Sequence, residues 1–212
     1  GPSGLVRVGA TEGFGTLILA PHLAQLTRKH PHLSIDLLAL PRMLHLSRRE
    51  ADIVISLERP TRGSVIVSRL SDYSLYLYGQ REYLARKPLV ATREDLRHHA
   101  FVSYVDDLLF TKELQFLAAL HQPERFAFRS TSITAQYEAV RAGAGLAVLP
   151  AFLADRDPVL TRVLPQEGQF TRTFWMSMPS ESKHLARMQV TWAFLRETVA
   201  AQQELLKPKA VR

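Results

Sequence analysis

Two periods of apolar residues alternate along the chain, one of about two residues and one near 3.6, and their order predicts an α/β protein with parallel strands joined by crossover helices. Residues 6–10 read as a buried strand, and residues 13–29 as a helix that Pro21 kinks or restarts. On that helix Leu17, Ala20 and Ala24 point one way, while Leu19, Leu23 and Leu26 cluster roughly 130° round. One face suffices for an internal core, so the second predicts either a helix sunk deep in its own domain or a face covered by a partner subunit.

Residues 33–40 give a second strand, residues 41–49 a short helix, and residues 51–56 a third strand with β-branched residues at its centre. Together these predict one βαβαβ lobe. Residues 64–70 and 73–79 alternate apolar and polar positions, as strands with one wet face or extended crossings do, and here the chain is expected to leave that lobe. A second β-α series follows. Thr92 and Asp95 have capping-box spacing for a short helix, and residues 101–104 form a strand. Phe110, Leu114, Leu117 and His121 stand at helical spacing before a strand at 125–129. Ile133, Tyr137 and Val140 mark a helix ending at Gly143, and residues 146–150 a buried strand stopped by proline. An aromatic-rich strand at 171–178 precedes a last helix from about Lys183, carrying Leu185, Met188, Trp192, Leu195 and Val199.

Composition narrows the class. With 212 residues, 46% of them hydrophobic, the chain can bury a substantial core, as one domain or two small lobes. No apolar run approaches the roughly 20 residues that span a bilayer, so no membrane partner is expected. The absence of cysteine excludes disulfides, thiolate metal sites and a cysteine nucleophile, and is compatible with a reducing cytoplasm. Residues 1–4 resemble a cloning remnant. The net charge of +7 is spread rather than gathered; Arg42, Arg48, Arg49, Arg59 and Arg62 are the densest region, without the interleaved aromatics of a single-strand groove. Direct nucleic-acid binding by these residues is not expected.

Catalytic signatures are missing: there is no G-x-S-x-G, no H-E-x-x-H, no phosphate-binding loop and no tuned carboxylate pair. No enzymatic activity and no cofactor are expected. Gly143-Ala144-Gly145 follows a helix and precedes a strand, the reverse of a nucleotide-binding loop, and reads as a turn. His30, His32, His98 and His99 lack a third ligand at sensible spacing and read as surface or capping histidines, while Asp106-Asp107 reads as a helix start. No metal is assigned. Two turns remain. Thr11-Glu12-Gly13 and Ser130-Thr131-Ser132 each follow a strand and open a helix, placing hydroxyls and free backbone N–H groups where an anion is favoured. Each alone is an ordinary helix cap; one per lobe, at strand carboxyl ends, they point to a shared ligand cleft.

Three passages carry a family resemblance over essentially everything after Gly4. They are Val6-Arg7-Val8-Gly9-Ala10-Thr11-Glu12-Gly13 with Leu19-Ala20-Pro21 and His30-Pro31, then Arg49-Glu50-Ala51-Asp52-Ile53-Val54-Ile55, then residues 139–150 through Gly143-Ala144-Gly145 to Leu149-Pro150. In this order and spacing the chain resembles the effector-binding domain of LysR-type bacterial transcription regulators. The resemblance implies two Rossmann-like lobes of the type 2 periplasmic-binding-protein fold, joined by two crossovers: 5–77 with 175–212 as lobe I, and 78–174 as lobe II. It implies a small organic effector, with an aromatic or carboxylic acid among the candidates, held between the lobes and altering how the parent protein binds DNA. Carried over residue by residue, the effector contacts are Thr11, Glu12, Gly13, Phe14 and Ser56 from lobe I, and Ser103, Tyr104, Thr131 and Ser132 from lobe II. Glu12 departs from the small polar residue usual there and disfavours an acidic effector if it faces the cleft. The family pairs these domains as antiparallel homodimers and assembles full-length tetramers, which favours Leu19, Leu23 and Leu26 as the partner face. DNA would be bound through an N-terminal winged helix-turn-helix that this chain lacks. A periplasmic solute-binding protein is the rival on the same lobe plan.

Overall fold

The first strand, β1 (Gly4–Ala10), lies in the computed structural model between β2 (Leu33–Ala39) and β3 (Ile53–Ser56), parallel to both. The structure describes residues 1–46 and 48–209. Strand β4 (Val65–Gln80) is a single continuous strand where the alternation predicts two. It is followed by β5 (Phe101–Ser103), β6 (Phe126–Arg129), β7 (Ala147–Pro150), β8 (Leu160–Arg162) and β9 (Gln169–Pro179). The described residues divide into two compact units, Gly1–Ser71 with Thr173–Gln203, and Asp72–Arg172 with residues 204–209. Two of the three crossings therefore fall inside β4 and β9 and the third follows Gln203; the first comes at Ser71/Asp72, earlier than the predicted 77/78. Gly4 opens β1, donating its N–H to the His32 carbonyl at 2.9 Å, so strand structure begins inside the segment set aside as a remnant.

In the first unit the strand order is β2-β1-β3-β9, with β9 antiparallel to β3. Val6, Val8, Ile53, Ile55, Phe174 and Met176 are buried on this sheet, and the helix Ala186–Ala201 adds Met188, Leu195 and Val199. The long helix after β1 comprises an α-helical turn Glu12–Phe14, a π-helical segment Gly15–Leu19 and an α-helix Ala20–Lys29. Proline has no N–H to donate to the preceding turn, and the wider π turn directly before Pro21 lets the helix continue through it. Leu19, Leu23 and Leu26 are each 3% exposed or less within this unit. They form its internal core, and the half-exposed small-residue face is the one carrying Leu17, Ala20 and Ala24. Burial in their own domain accounts for these three leucines, the first of the two alternatives that the sequence leaves open.

The helix predicted over 41–49 does not form among its described residues; Ser47 lies outside them. Arg49 has φ of 54°, which breaks a right-handed helix, and Leu44 instead folds down onto Ala51 and Val54 with Leu38, Leu40 and Leu46 around it. Gly9 makes this possible: a Cβ there would lie 2.3 Å from the Leu44 Cδ1.

In the second unit β6 and β5 are parallel, Phe101 bridges in parallel to Leu146 at the head of β7, and β7 and β8 both run antiparallel to β4. Gly145 sits at the closest approach. Its φ is +156°, and a Cβ would be 2.3 Å from the Ala100 carbonyl oxygen. The helical spacing of Phe110, Leu114, Leu117 and His121 resolves into two short turns, Lys112–Leu114 and Leu117–Leu120. The interruption has a cause: Arg172 donates to the Glu113 carbonyl at 2.6 Å and the Gln115 carbonyl at 3.4 Å, and its guanidinium lies 4.8 Å from the Phe116 ring centroid. Carbonyls held by a side chain are not available to a continuing helix.

Candidate functional site

In the first unit Gly9 pairs with Val54 in parallel strands, so Thr11, which follows β1, and Ser56, which ends β3, both lie at the carboxyl end of the sheet. Ser56 pairs in turn with Trp175 on β9, and the Arg59 guanidinium lies 5.4 Å from the Trp175 ring centroid. Thr11 is the cap residue of the first helix, with φ −62° and ψ 150°, but its side chain makes no capping hydrogen bond. The helix begins with its carbonyl, which accepts from Gly15 N–H at 2.9 Å. Glu12 stands half-buried in that first turn, where a negative charge is favoured by the helix dipole. The Phe14 ring is 1% exposed and stacked on Phe174, and the Ser56 hydroxyl donates to the Glu58 carbonyl at 2.8 Å.

The second unit has a differently built turn. Ser103 at the end of β5 pairs with Arg129 on β6, and its carbonyl accepts from Ser130 N–H at 3.0 Å. The Ser130 hydroxyl accepts from Ser132 N–H at 3.1 Å, and the Ser132 hydroxyl accepts from Ala135 N–H at 3.0 Å, capping the helix Ile133–Arg141. Gln136, 1% exposed, donates to the Ser130 carbonyl at 3.0 Å and fixes the turn from below. Ser103, Tyr104, half-buried Thr131 and Ser132 are thus gathered at one carboxyl edge. The two turns differ in what their hydroxyls do: Ser132 is occupied as a cap, whereas Thr11 is not.

Two groups escaped the pattern. Arg59 is visible in the sequence as one of a run of arginines, but its seat on Trp175 depends on the pairing of β3 with β9. Asp157, 8% exposed, accepts from the Tyr137 hydroxyl, from Arg141 Nε at 2.6 Å and from Val159 N–H at 2.9 Å. Burial opposes its ionisation, but these donors outweigh burial and hold its carboxyl below the usual range. Burial and the neighbouring Asp157 push the Tyr137 phenol up to about 12. No hydrophobic period announces such a clamp.

His99 differs from the surface or capping reading. It is 6% exposed, its Nδ1 lies 3.0 Å from the Tyr83 hydroxyl, and burial followed by the charges of Lys87 and His98 lowers its pKa. Asp106 and Asp107 open a single 3-10 turn, Asp106–Leu108. Among the described residues no group of three or more His, Asp or Glu side chains is placed to hold a metal ion, and no helix is long and apolar enough to cross a membrane.

A family model described as the LysR substrate binding domain matches residues 1–200. Among curated relatives, the Mau operon transcriptional activator of Paracoccus denitrificans is 31% identical over 70% of this chain and 48% of its own length. The HTH-type transcriptional regulator PtxR of Pseudomonas aeruginosa is 27% identical over 77% of this chain and 54% of its own length. An uncharacterised HTH-type transcriptional regulator of Haemophilus influenzae is 24% identical over 78% of this chain and 59% of its own length. The chain therefore spans about half the length of the relatives it matches. Among solved structures, the regulatory domain of CrgA, a LysR-type regulator from Neisseria meningitidis, superposes with a TM-score of 0.80 at 22% identity, covering 93% of this chain and 100% of that domain. Full-length AphB, a virulence activator from Vibrio cholerae, gives 0.75 at 20% identity, covering 92% of this chain and 68% of AphB.

Proposed function

The chain belongs to the family of LysR substrate-binding domains and has their type 2 periplasmic-binding-protein fold, and we propose that it senses a small organic effector for a longer DNA-binding regulator. The observation that carries the proposal is the Thr11 turn. A cap residue whose hydroxyl makes no cap bond, at the head of a helix on the carboxyl edge of a parallel sheet, is a ligand-contacting arrangement more than a structural one. The second unit contributes Ser103, Tyr104, Thr131 and Ser132 at the corresponding edge, and Ser56 adds to the first.

The effector is a small organic molecule, an aromatic or carboxylic acid being the leading class. Arg59 on Trp175 brings positive charge to the edge at which Glu12 brings negative charge, which supports an acidic ligand despite Glu12. Binding would shift the regulator between states that differ in their hold on DNA, through differential affinity alone. The domain is non-enzymatic and cytoplasmic in this reading, works as a homodimer within a tetrameric parent, and leaves DNA contact to an N-terminal helix-turn-helix of that parent. The relatives are named transcription regulators, which favours this over a periplasmic solute-binding protein.

A thermal-shift screen of the chain against organic acids, amino acids and aromatic metabolites tests the proposal, because a ligand that binds only the folded state raises the melting temperature with concentration. A hit whose shift is lost in Thr11→Ala and in Thr131→Ala supports it. Hits unaffected by either substitution, or none across the library, overturn it.

A further inference from the structure

On the β4–β8 side of the second unit, Tyr78 stands directly opposite Arg162, and Tyr76, two residues earlier on β4, shares the same face. Arg162 reaches along that face until its guanidinium carbon is 3.6 Å from the Tyr76 ring centroid. One edge of the guanidinium is fully used: Nε donates to Asp155 Oδ1 at 3.0 Å and Nη2 to Asp155 Oδ2 at 2.6 Å, while the Tyr78 hydroxyl donates to Oδ1 at 2.6 Å. The other edge is not. Arg162 Nη1 and the Tyr76 hydroxyl are both closed off from solvent, and neither has a hydrogen-bond partner among the described residues.

An orphan of this kind is costly, since a buried polar group without a partner loses its hydration and gains nothing. A guanidinium cannot escape by releasing a proton, and it can only donate. Two such groups, stacked against each other in one interior, point to a common guest that accepts hydrogen bonds. Asp155 does not supply it: its oxygens meet Arg162 Nε, Arg162 Nη2 and the Tyr78 hydroxyl, and neither Nη1 nor the Tyr76 hydroxyl bonds to them. We propose that Tyr76 Oη and Arg162 Nη1 form an internal site for one halide-sized anion.

The donor set selects the class. Arg162 Nη1 can only donate and the Tyr76 hydroxyl can donate as well as accept, so one acceptor satisfies both groups, whereas a polyatomic oxyanion would bring several acceptor atoms and leave oxygens of its own unpaired. A single-atom anion matches the count. Its charge is favoured by contact with Arg162 and opposed by Asp155, which already pairs with that guanidinium, while the chain's net charge of +7 lowers the cost of admitting it. The site belongs to β4 and β8, apart from the Ser103 and Ser130–Ser132 turn, so it is a second binding place rather than part of the effector edge.

Two measurements on the chain as it stands decide the matter. Crystals grown in sodium bromide are expected to show an anomalous difference peak between Tyr76 Oη and Arg162 Nη1. In melting experiments at fixed ionic strength, replacing gluconate by chloride is expected to raise the melting temperature by about 2–4 °C, the shift that a roughly fivefold excess over the dissociation constant gives for a chain of this size. Tyr76→Phe keeps the ring and the stacking, and is expected to abolish both the chloride effect and the bromide peak. Ordered density without anomalous signal at that position would identify a water molecule and overturn the anion. A chloride effect that persists in Tyr76→Phe would overturn the site.

Discussion

Phe14 stacks on Phe174, with ring centroids 4.1 Å apart and planes 25° from parallel, and each side chain is only 1% exposed. The pair joins the first turn of the first helix to β9 within one unit, so the Phe14 ring is part of that unit's core. Truncating it removes both an aromatic partner and core volume. Phe14→Ala is expected to destabilise the fold by about 3–5 kcal/mol, and Phe14→Leu by distinctly less. Chemical denaturation of the two variants side by side checks the order; equal small losses would show that the ring is not core.

The close approach at Gly145 gives a sharper backbone test. Gly63 has φ of +83° with open space around it, whereas Gly145 has φ of +156° and the Ala100 carbonyl oxygen 2.3 Å from where a Cβ would stand. Gly63→Ala therefore bears only the conformational term, about 1 kcal/mol. Gly145→Ala bears that term and a clash with backbone that is itself tied into the bridge from Phe101 to Leu146. The expected result is a marginal melting shift for the first and loss of a cooperative transition, or a shift several times larger, for the second.

Acid should act on this domain in two stages. His99 is held below its ordinary pKa by burial, then by Lys87 and His98, so its protonation favours the unfolded chain, and stability is lost as pH falls below about 6.5. Asp157 is held below the ordinary carboxylate range, so the stability that it adds is present above about pH 4 and lost as pH falls through its folded value. Both losses have the same sign but separate windows. His99→Gln is expected to flatten the melting-temperature profile just below about pH 6.5 while leaving the lower limb, and Asp157→Asn to flatten the lower limb at the expense of stability near neutrality. A His99→Gln profile parallel to that of the parent chain would exclude the histidine.

Much of this fold is legible in the sequence because apolar period and strand-helix order are local. The strands at β1, β2, β3, β5, β6 and β7, the Ser132-capped helix and the turn at Gly143–Gly145 all follow from residues within a few positions of one another. What the pattern misses depends on long-range partners. The Phe110–His121 segment has helical spacing, but Arg172 from β9 takes its carbonyls; residues 41–46 have the composition of a short helix, but Leu44 finds a place over Gly9. For the same reason the first helix shows two apolar faces in sequence, and only the sheet beneath it decides that Leu19, Leu23 and Leu26 point inward. The Thr11 and Ser130–Ser132 turns are readable as motifs, yet their different hydrogen bonding is not, because it depends on which hydroxyl meets which amide.

That difference separates function from stability in one pair of substitutions. Ser132 accepts from Ala135 N–H, so Ser132→Ala removes a working cap and is expected to cost about 0.5–2 kcal/mol, whatever it also does to ligand binding. Thr11 makes no cap bond and stands half-buried at the end of β1, so Thr11→Ala is expected to change stability by no more than about 0.5 kcal/mol. If the Thr11 turn contacts the effector, the same substitution must weaken ligand binding out of proportion to that small change. The pair therefore has opposite signatures: a lowered melting temperature without ligand for Ser132→Ala, and an unchanged one without ligand but a diminished ligand-induced rise for Thr11→Ala. A Thr11→Ala chain that melts well below the parent would return Thr11 to an ordinary structural role, and the loss of ligand response could then no longer be charged to a contact.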